Sequence, residues 1–226
     1  MPAPRAPHTR TSLPDLPRRL LQVIIVVGLA MELYGQQWLN AIVVTAILML
    51  TVLPAFFARW AKFSIPYQFE VLAIIFIFAS LYLGERRDFY NRFWWWDLAL
   101  HSASGVLTGI LGFLLVYVLN QDPRIEVHIK PFFVAFFAFC FATTVGTLWE
   151  VFEFTMDQLV GVNMQKPTFS DPSGLTDTMW DLIVNAIGSL AVVVYGFYYM
   201  HRPVRTTIEH WIERFIATNP RLFPPK

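Results

Sequence analysis

Charged residues are scarce in this 226-residue sequence, and neither sign of charge dominates. Only 15% of the residues are Asp, Glu, Lys or Arg, whereas soluble domains carry about 25%. The formal net charge is +1, and no run of basic residues indicates nucleic-acid binding. Hydrophobic residues make up 56% of the chain, in long runs separated by short polar breaks. This pattern predicts an all-α, polytopic membrane protein embedded in a lipid bilayer.

Cysteine and the familiar catalytic motifs are also lacking. Cys140 is the single cysteine, so no intramolecular disulfide can form, and its apolar neighbours indicate a small buried hydrophobe. The sequence has no H-E-x-x-H zinc motif, no G-x-S-x-G nucleophile turn and no Gly-rich phosphate loop. These absences exclude the usual zincin and serine-hydrolase signatures, and they leave open whether the protein is an enzyme.

Six apolar runs predict six transmembrane helices with a C-terminal amphipathic helix. The predicted spans are 20–37, 38–59, 67–83, 97–120, 131–157 and 177–201. Residues 1–19 are interpreted as a disordered cytoplasmic tail, 20–201 as the transmembrane domain and 202–226 as an amphipathic cytoplasmic tail. The amphipathic helix lies either at the membrane surface or against the protein's own loops.

The distribution of basic residues predicts the orientation of the chain. With both termini in the cytoplasm, 13 of the 17 Lys and Arg residues are internal. The four external ones are Arg86, Arg87, Arg92 and Lys166. Because cytoplasmic loops are enriched in Lys and Arg, we expect both ends inside and residues 84–96 and 158–176 outside.

Ionisable residues converge at the outer ends of several predicted spans. Glu150, Glu153 and Asp157 share one face of span five, at a helix end where the macrodipole disfavours negative charge. The same layer receives residues of the other spans, which are Glu32, Asp97, His101, Asp177, Asp181 and Asn185. Simpler roles remain open for some of them, because Asp97 and Asp177 could cap their helices and Glu32 and Glu70 could be interfacial.

Carboxylates inside a membrane span need a partner, and the sequence offers two kinds. One is an arginine-bridged network with Arg86, Arg87 and Arg92. The other is a bound divalent cation such as Mg²⁺, Ca²⁺, Mn²⁺, Zn²⁺ or Fe²⁺, which we favour. Its expected ligands are Asp97, Glu150, Glu153, Asp177 and Asp181, with His101 as a further ligand or a general base and Asn185 and Asp157 in support.

The same residues carry a resemblance to a known family. The chain resembles the YjdF-like family of bacterial inner-membrane proteins at Asp97-x-x-x-His101, Trp149-Glu150-x-x-Glu153 and Asp177-x-x-x-Asp181 with Asn185 and Gly188. Residues 181–188 are also similar to the end of VanZ-like membrane proteins. The first resemblance covers residues 65–200 and implies the six-span fold, the inner membrane and a shared polar site, but it implies no reaction.

Three functions fit these patterns. The first is a cation-dependent enzyme acting on a lipid-like or small amphipathic substrate from the outer face. The second is an ion- or proton-coupled transporter, which would need a polar path that the inner halves of spans four and six lack. The third is a structural or assembly protein whose polar cluster specifies helix packing.

A stripe of glycines on span four makes a prediction about packing. Gly105, Gly109 and Gly112 recur at helical spacing on one face, and small residues let helix backbones approach closely. We therefore expect span four to pack centrally against spans five and six.

Overall fold

The computed structural model of the protein describes residues 16–60, 67–121, 129–166, 171–200 and 217. These residues are helical apart from short turns and connections, and they contain no strand. The helices are α1 (Leu16–Tyr34), α2 (Trp38–Trp60), α3 (Tyr67–Ile77) with a π-helical extension (Phe78–Arg86), α4 (Phe89–Arg92), α5 (Trp96–Gln121), α6 (Pro131–Val160) and α7 (Leu175–Met200). The chain divides into two compact units between Arg87 and Asp88. Of the tails predicted at 1–19 and 202–226, residues 1–15 and 202–226 lie outside the described residues, apart from residue 217, whereas residues 16–19 form the start of α1.

The first unit packs α1, α2 and the π-helical extension around a small apolar core. Ile25, Val44, Ile47 and Tyr82 are buried there. A Cβ atom on Gly28 would collide with the Tyr82 hydroxyl, so this glycine allows the tyrosine to lie against α1. The Tyr82 hydroxyl also accepts a hydrogen bond of 2.9 Å from Arg87.

Two ion pairs correct our expectation for the acidic residues of this unit. Glu32 was expected at an interface, but it is buried and paired with Arg86. Glu70 pairs with Arg18 at 2.6 Å. Ionised groups in an apolar bundle need such a partner, and an arginine supplies one in each case.

The π-helical extension was not predicted from the sequence. We expected span three to end at residue 83, but the widened helix continues to Arg86 and closes with a 3.0 Å hydrogen bond from the Arg87 N–H to the Tyr82 carbonyl. A π-helix adds a residue to each turn, and the apolar pattern of this run does not distinguish it from an α-helix.

The second unit consists of α4 and the three long helices α5, α6 and α7. Within the described residues, three helices are long and apolar enough to cross a membrane: Trp96–Val116, Pro131–Val160 and Leu175–Tyr198. The stretch Trp38–Leu53 is apolar but shorter. The prediction of an all-helical membrane protein is therefore confirmed, and the count of six spans stays a prediction.

Helices α5 and α7 cross so closely that their backbones touch. A Cβ atom on Gly105 would collide with the carbonyl oxygen of Asn185, and one on Gly188 would collide with the carbonyl oxygen of Ser102. The two contacts are reciprocal, because each glycine lies three residues after the residue that the other contacts. This crossing fixes α5 against α7 by van der Waals packing of small residues.

Helix α6 approaches the same pair through two other glycines. A Cβ atom on Gly112 would lie 2.9 Å from the Ala138 Cα, and one on Gly146 would lie 2.7 Å from the Asn185 Cγ. Span four therefore packs against spans five and six, as predicted, and spans five and six also contact each other. Gly109 is the loosest of the three stripe residues, because a Cβ atom there would lie 3.6 Å from its nearest neighbours.

The crossing can be tested with two alanine variants of the same stripe. Gly105→Ala should force the α5 and α7 backbones apart and destabilise the fold by about 1–3 kcal/mol, as overpacking usually does. Gly109→Ala meets ordinary contact distances and should be neutral or slightly stabilising, because alanine favours helices more than glycine by about 1 kcal/mol. Thermal unfolding in detergent measures both, and equal melting temperatures for the two variants would contradict the crossing.

Candidate functional site

The α5–α7 crossing brings His101 and Asp181 together. Each lies four residues before a residue of the crossing, His101 before Gly105 and Asp181 before Asn185, and residues four apart share a helix face. The His101 Nε2 atom consequently lies 3.9 Å from the Asp181 Oδ2 atom. Both residues are buried.

Asn185 links the three long helices below this pair. Its Nδ2 atom donates a hydrogen bond of 3.4 Å to the His101 carbonyl oxygen, and its side chain fills the space left by Gly146 of α6. Glu150 follows Gly146 by four residues and therefore faces the same way. Asn185 thus contacts both α5 and α6 beside His101, and its supporting role stays a prediction.

The His101 imidazole lies between carboxylates on both of its nitrogens. Its Nδ1 atom is 3.5 Å from the Glu150 Oε1 atom, and its Nε2 atom is 3.6 Å from the Asp97 Oδ1 atom. The side chains form two groups in which one ligand atom from each residue lies within 4.8 Å of the others: Asp97, His101 and Asp181, and His101, Glu150 and Glu153. Four of the five predicted carboxylate ligands are thus gathered around the predicted histidine.

Glu150 and Asp181 are buried without hydrogen-bond partners. The exposed fraction is 4% for Glu150 and 1% for Asp181, and none of their four carboxylate oxygens takes part in a hydrogen bond with the described residues. The Thr178 hydroxyl approaches Glu150 without reaching hydrogen-bond geometry. Buried polar groups are nearly always paired, and an unpaired buried carboxylate is costly. A partner for these oxygens is therefore expected.

Glu153 is better satisfied than Glu150. Its Oε1 atom accepts a hydrogen bond of 2.9 Å from the Trp149 Nε1 atom, one helical turn earlier on α6. This bond holds the buried Glu153 carboxylate next to His101 and Glu150 while leaving its second oxygen available.

Asp157 shares a face with Glu150 and Glu153 but acts on the following loop. Its two oxygens accept hydrogen bonds from the backbone N–H groups of Met164, at 2.7 Å, and Gln165, at 2.9 Å. Asp157 follows Glu150 by about 10 Å along the helix axis and Glu153 by about 6 Å, and it belongs to neither candidate ligand group. Asp157 therefore binds the backbone of residues 164 and 165, and its support of the ligands stays a prediction.

Asp97 pairs with a basic loop residue, Lys166, that the sequence did not indicate as its partner. Its Oδ2 atom forms an ion pair with the Lys166 ammonium, which also lies 4.0 Å from the centre of the Tyr90 ring. No capping hydrogen bond of Asp97 is among its described contacts. Two of the arginines that were considered as partners have other contacts: Arg86 pairs with Glu32, and Arg87 donates a hydrogen bond to Tyr82.

Asp177 lies outside both candidate ligand groups. Asp171 and Ser173 cap α7, by accepting hydrogen bonds from the N–H groups of Thr176, at 2.7 Å, and Leu175, at 3.2 Å. Hydrogen bonds from Ser173 and Thr176 hold the pKa of Asp171 well below its usual range. Two residues of the preceding loop thus take the capping role that was left open for Asp177.

The hydrogen bonds of Asp157 lead to a prediction about the local stability of the loop that follows α6. Asp157→Ala removes both acceptors of the Met164 and Gln165 N–H groups. Hydrogen bonds to charged groups contribute about 1.5–3 kcal/mol each, so hydrogen exchange at these two amides should accelerate by about tenfold or more. Mass spectrometry of the exchanged protein measures this, with residues 135–145 of α6 as the internal control. Unchanged exchange in residues 161–166 would show that Asp157 does not hold the loop.

These features define a helical membrane protein whose three long helices enclose a histidine surrounded by carboxylates. The chain belongs to the family described as "Predicted membrane protein (DUF2238)", which it matches over residues 16–202. It is also similar to a protein of Thermotoga maritima named "Uncharacterized protein", with 26% identity over 134 residues. That similarity covers 58% of this chain and 64% of the Thermotoga protein. No solved structure matches the chain.

Proposed function

We propose that the second unit binds a divalent cation through the His101 Nε2 atom, Asp97 and Asp181, while Glu150 and Glu153 face the other imidazole nitrogen, Nδ1. One observation carries this proposal. Two carboxylates that are almost fully buried, Glu150 and Asp181, flank the two nitrogens of one imidazole, and none of their oxygens has a hydrogen-bond partner among the described residues. A cation at Nε2 would satisfy Asp181, leave the proton of the imidazole on Nδ1 beside Glu150 and offset the repulsion between the carboxylates.

The donor set and its dimensions support such an ion. Carboxylate oxygens suit hard cations such as Mg²⁺, Ca²⁺ and Mn²⁺, and an imidazole nitrogen also admits Zn²⁺ and Fe²⁺. Neighbouring ligands that each lie about 2.2 Å from an ion are about 3.1–3.6 Å apart. The separations of the His101 Nε2 atom from Asp97, 3.6 Å, and from Asp181, 3.9 Å, are close to this range, so small rotations of the side chains would complete the site.

The position of the site supports a substrate that reaches it from one membrane surface. Asp181 lies about 9 Å along α7 from Leu175, and His101 about 8 Å along α5 from Trp96, at about 1.5 Å per residue. A lipid-like or small amphipathic molecule can place a polar group at this depth. A bound cation would activate a water molecule for hydrolysis or transfer, and His101 would serve as a ligand or as the base that takes up the proton.

The other end of the helices favours a one-sided site over a transport path. Beyond Asn185, the next buried polar residue of α7 is Ser189, and its hydroxyl donates a hydrogen bond of 2.9 Å to the carbonyl oxygen of Ala186 in the same helix. Gly109 and Val192 lie beside it. Within the described part of α5 and α7, no ionisable group continues from the cluster in this direction.

The orientation follows from the same proposal and from the basic residues. With both termini in the cytoplasm of a bacterium, the site would face the outside of the inner membrane, as the 13 internal Lys and Arg residues support. The YjdF-like resemblance supports this location, and the family match is compatible with it. The similarity to VanZ-like proteins stays a prediction.

Elemental analysis of the purified protein tests the cation site. Protein stripped with a chelator and dialysed against Mg²⁺, Ca²⁺, Mn²⁺ or Zn²⁺ should retain a stoichiometric amount of one of these ions. Asp181→Asn should abolish retention, and Glu150→Gln, which alters the partner of the Nδ1 atom, should weaken binding by about 10- to 100-fold. An ion at 100 times its dissociation constant should raise the free energy of unfolding of the wild type by about 2.7 kcal/mol. Asp88→Asn is the matched control, because Asp88 is exposed and has a φ of 63° that asparagine adopts easily.

The stabilities of the wild type and the two variants after removal of the ion by a chelator distinguish a cation site from a packing role. Without an ion, Glu150→Gln and Asp181→Asn should be at least as stable as the wild type, since each removes an unpartnered buried charge. If the wild type retains none of the four ions and both variants melt at lower temperature, the cluster specifies helix packing and the proposal is wrong.

A further inference from the structure

We propose that Lys166 is a built-in competitor of the cation, which holds Asp97 only while the site contains no ion. This inference rests on the cation site proposed above. Asp97 has two neighbours on its two oxygens, because Oδ1 lies 3.6 Å from the His101 Nε2 atom and Oδ2 contacts the Lys166 ammonium. One carboxylate therefore joins the candidate ligand group to a positively charged loop residue.

Charge makes the two states exclusive. An ion bound by His101, Asp181 and Asp97 would lie next to the Lys166 ammonium, and like charges at such distances repel strongly in a partly buried site. The ammonium would have to leave Asp97, or the ion would have to bind without Asp97 as a ligand. Tyr90 provides a partner for the displaced ammonium, since its ring already lies 4.0 Å from the Lys166 Nζ atom and aromatic faces attract cations.

Lys166 is held in place by its surroundings and is not a freely moving surface lysine. Asp157 anchors the two residues before it, and the Gln165 Nε2 atom donates a hydrogen bond of 2.9 Å to the Thr178 hydroxyl on α7. Gly174, with a φ of 71°, lies directly against Gln165. Lys166 itself has a φ of 45°, a left-handed conformation that a lysine keeps only where neighbouring contacts impose it.

The arrangement predicts that losing the lysine strengthens cation binding. Lys166→Met frees Asp97 and removes one positive charge beside the ion, so Mn²⁺ should bind about tenfold more tightly or better. Lys130→Met is the matched control, because Lys130 is exposed at the opposite end of α6 and its removal should leave the affinity unchanged. Equilibrium dialysis with Mn²⁺ in detergent measures all three proteins.

Each outcome of this titration has a defined meaning. A lysine that merely shapes the loop would lower the affinity or leave it unchanged when replaced, and either result would overturn the competition. Binding of Mn²⁺ to the wild type without a gain in Lys166→Met overturns this inference alone. Absence of binding to both proteins overturns the cation site and the competition with it.

A second measurement uses the wild-type protein and tests the competition between Lys166 and the ion even if Lys166→Met does not fold. The amines of the wild-type protein are labelled with an N-hydroxysuccinimide ester, with and without Mn²⁺, and quantified by peptide mass spectrometry. An ion that displaces Lys166 from Asp97 should increase labelling at Lys166 several-fold and leave Lys130 unchanged. Equal or reduced labelling at Lys166 in the presence of bound Mn²⁺ would show that the ion pair persists and that the two cations do not compete.

Discussion

The contact between the backbones of α5 and α7 is the constraint on which the second unit depends. At Gly105 and Gly188 no side chain separates the two helices. His101 lies one turn before Gly105 and Asp181 one turn before Asn185, so both are forced into the narrow space beside the crossing. A bilayer supplies no hydrophobic force between helices, and close packing of small residues replaces it. The polar cluster is thus buried because the helices that carry it cannot move apart.

The electrostatics of the cluster follow from this burial. Four carboxylates surround one imidazole, and within the described residues one ammonium, that of Lys166, pairs with them. Asn185 and Trp149 orient the groups but bring no charge. In the low dielectric of a helix bundle, this excess of negative charge is stable only with a counter-ion or with protons on some of the carboxylates. A divalent cation next to His101 is the counter-ion that fits the donor atoms best.

The sequence predicted the parts of the structure that depend on helical periodicity. Residues three or four apart lie on one face, and this rule, together with the alternating direction of the spans, predicted a common layer for Glu150, Glu153, His101 and Asp181. The long apolar helices were predicted from hydropathy and the glycine stripe from helical spacing. Asp157 shares the face of Glu150 but lies about 10 Å further along the axis, and its supporting role stays a prediction.

Residues outside the long helices could not be placed in this way. Lys166 lies in a loop whose path depends on hydrogen bonds from its backbone to Asp157. No periodic pattern in the sequence predicts such hydrogen bonds. One signal was present, since Lys166 is the single basic residue between 158 and 176. The partners of Glu32 and Glu70 were missed for a similar reason, because the sequence does not tell which arginine a buried carboxylate will meet.

The position of the ion itself is the most direct test of the account. Crystals of the protein grown with Mn²⁺ should give an anomalous difference peak between the His101 Nε2 atom and the carboxylates of Asp97 and Asp181, at about 2.1–2.3 Å from the nearest ligand atoms. A cluster without such a peak, with Glu150 and Asp181 hydrogen-bonded to each other or to His101 at a saturating concentration of Mn²⁺, would contradict the cation site.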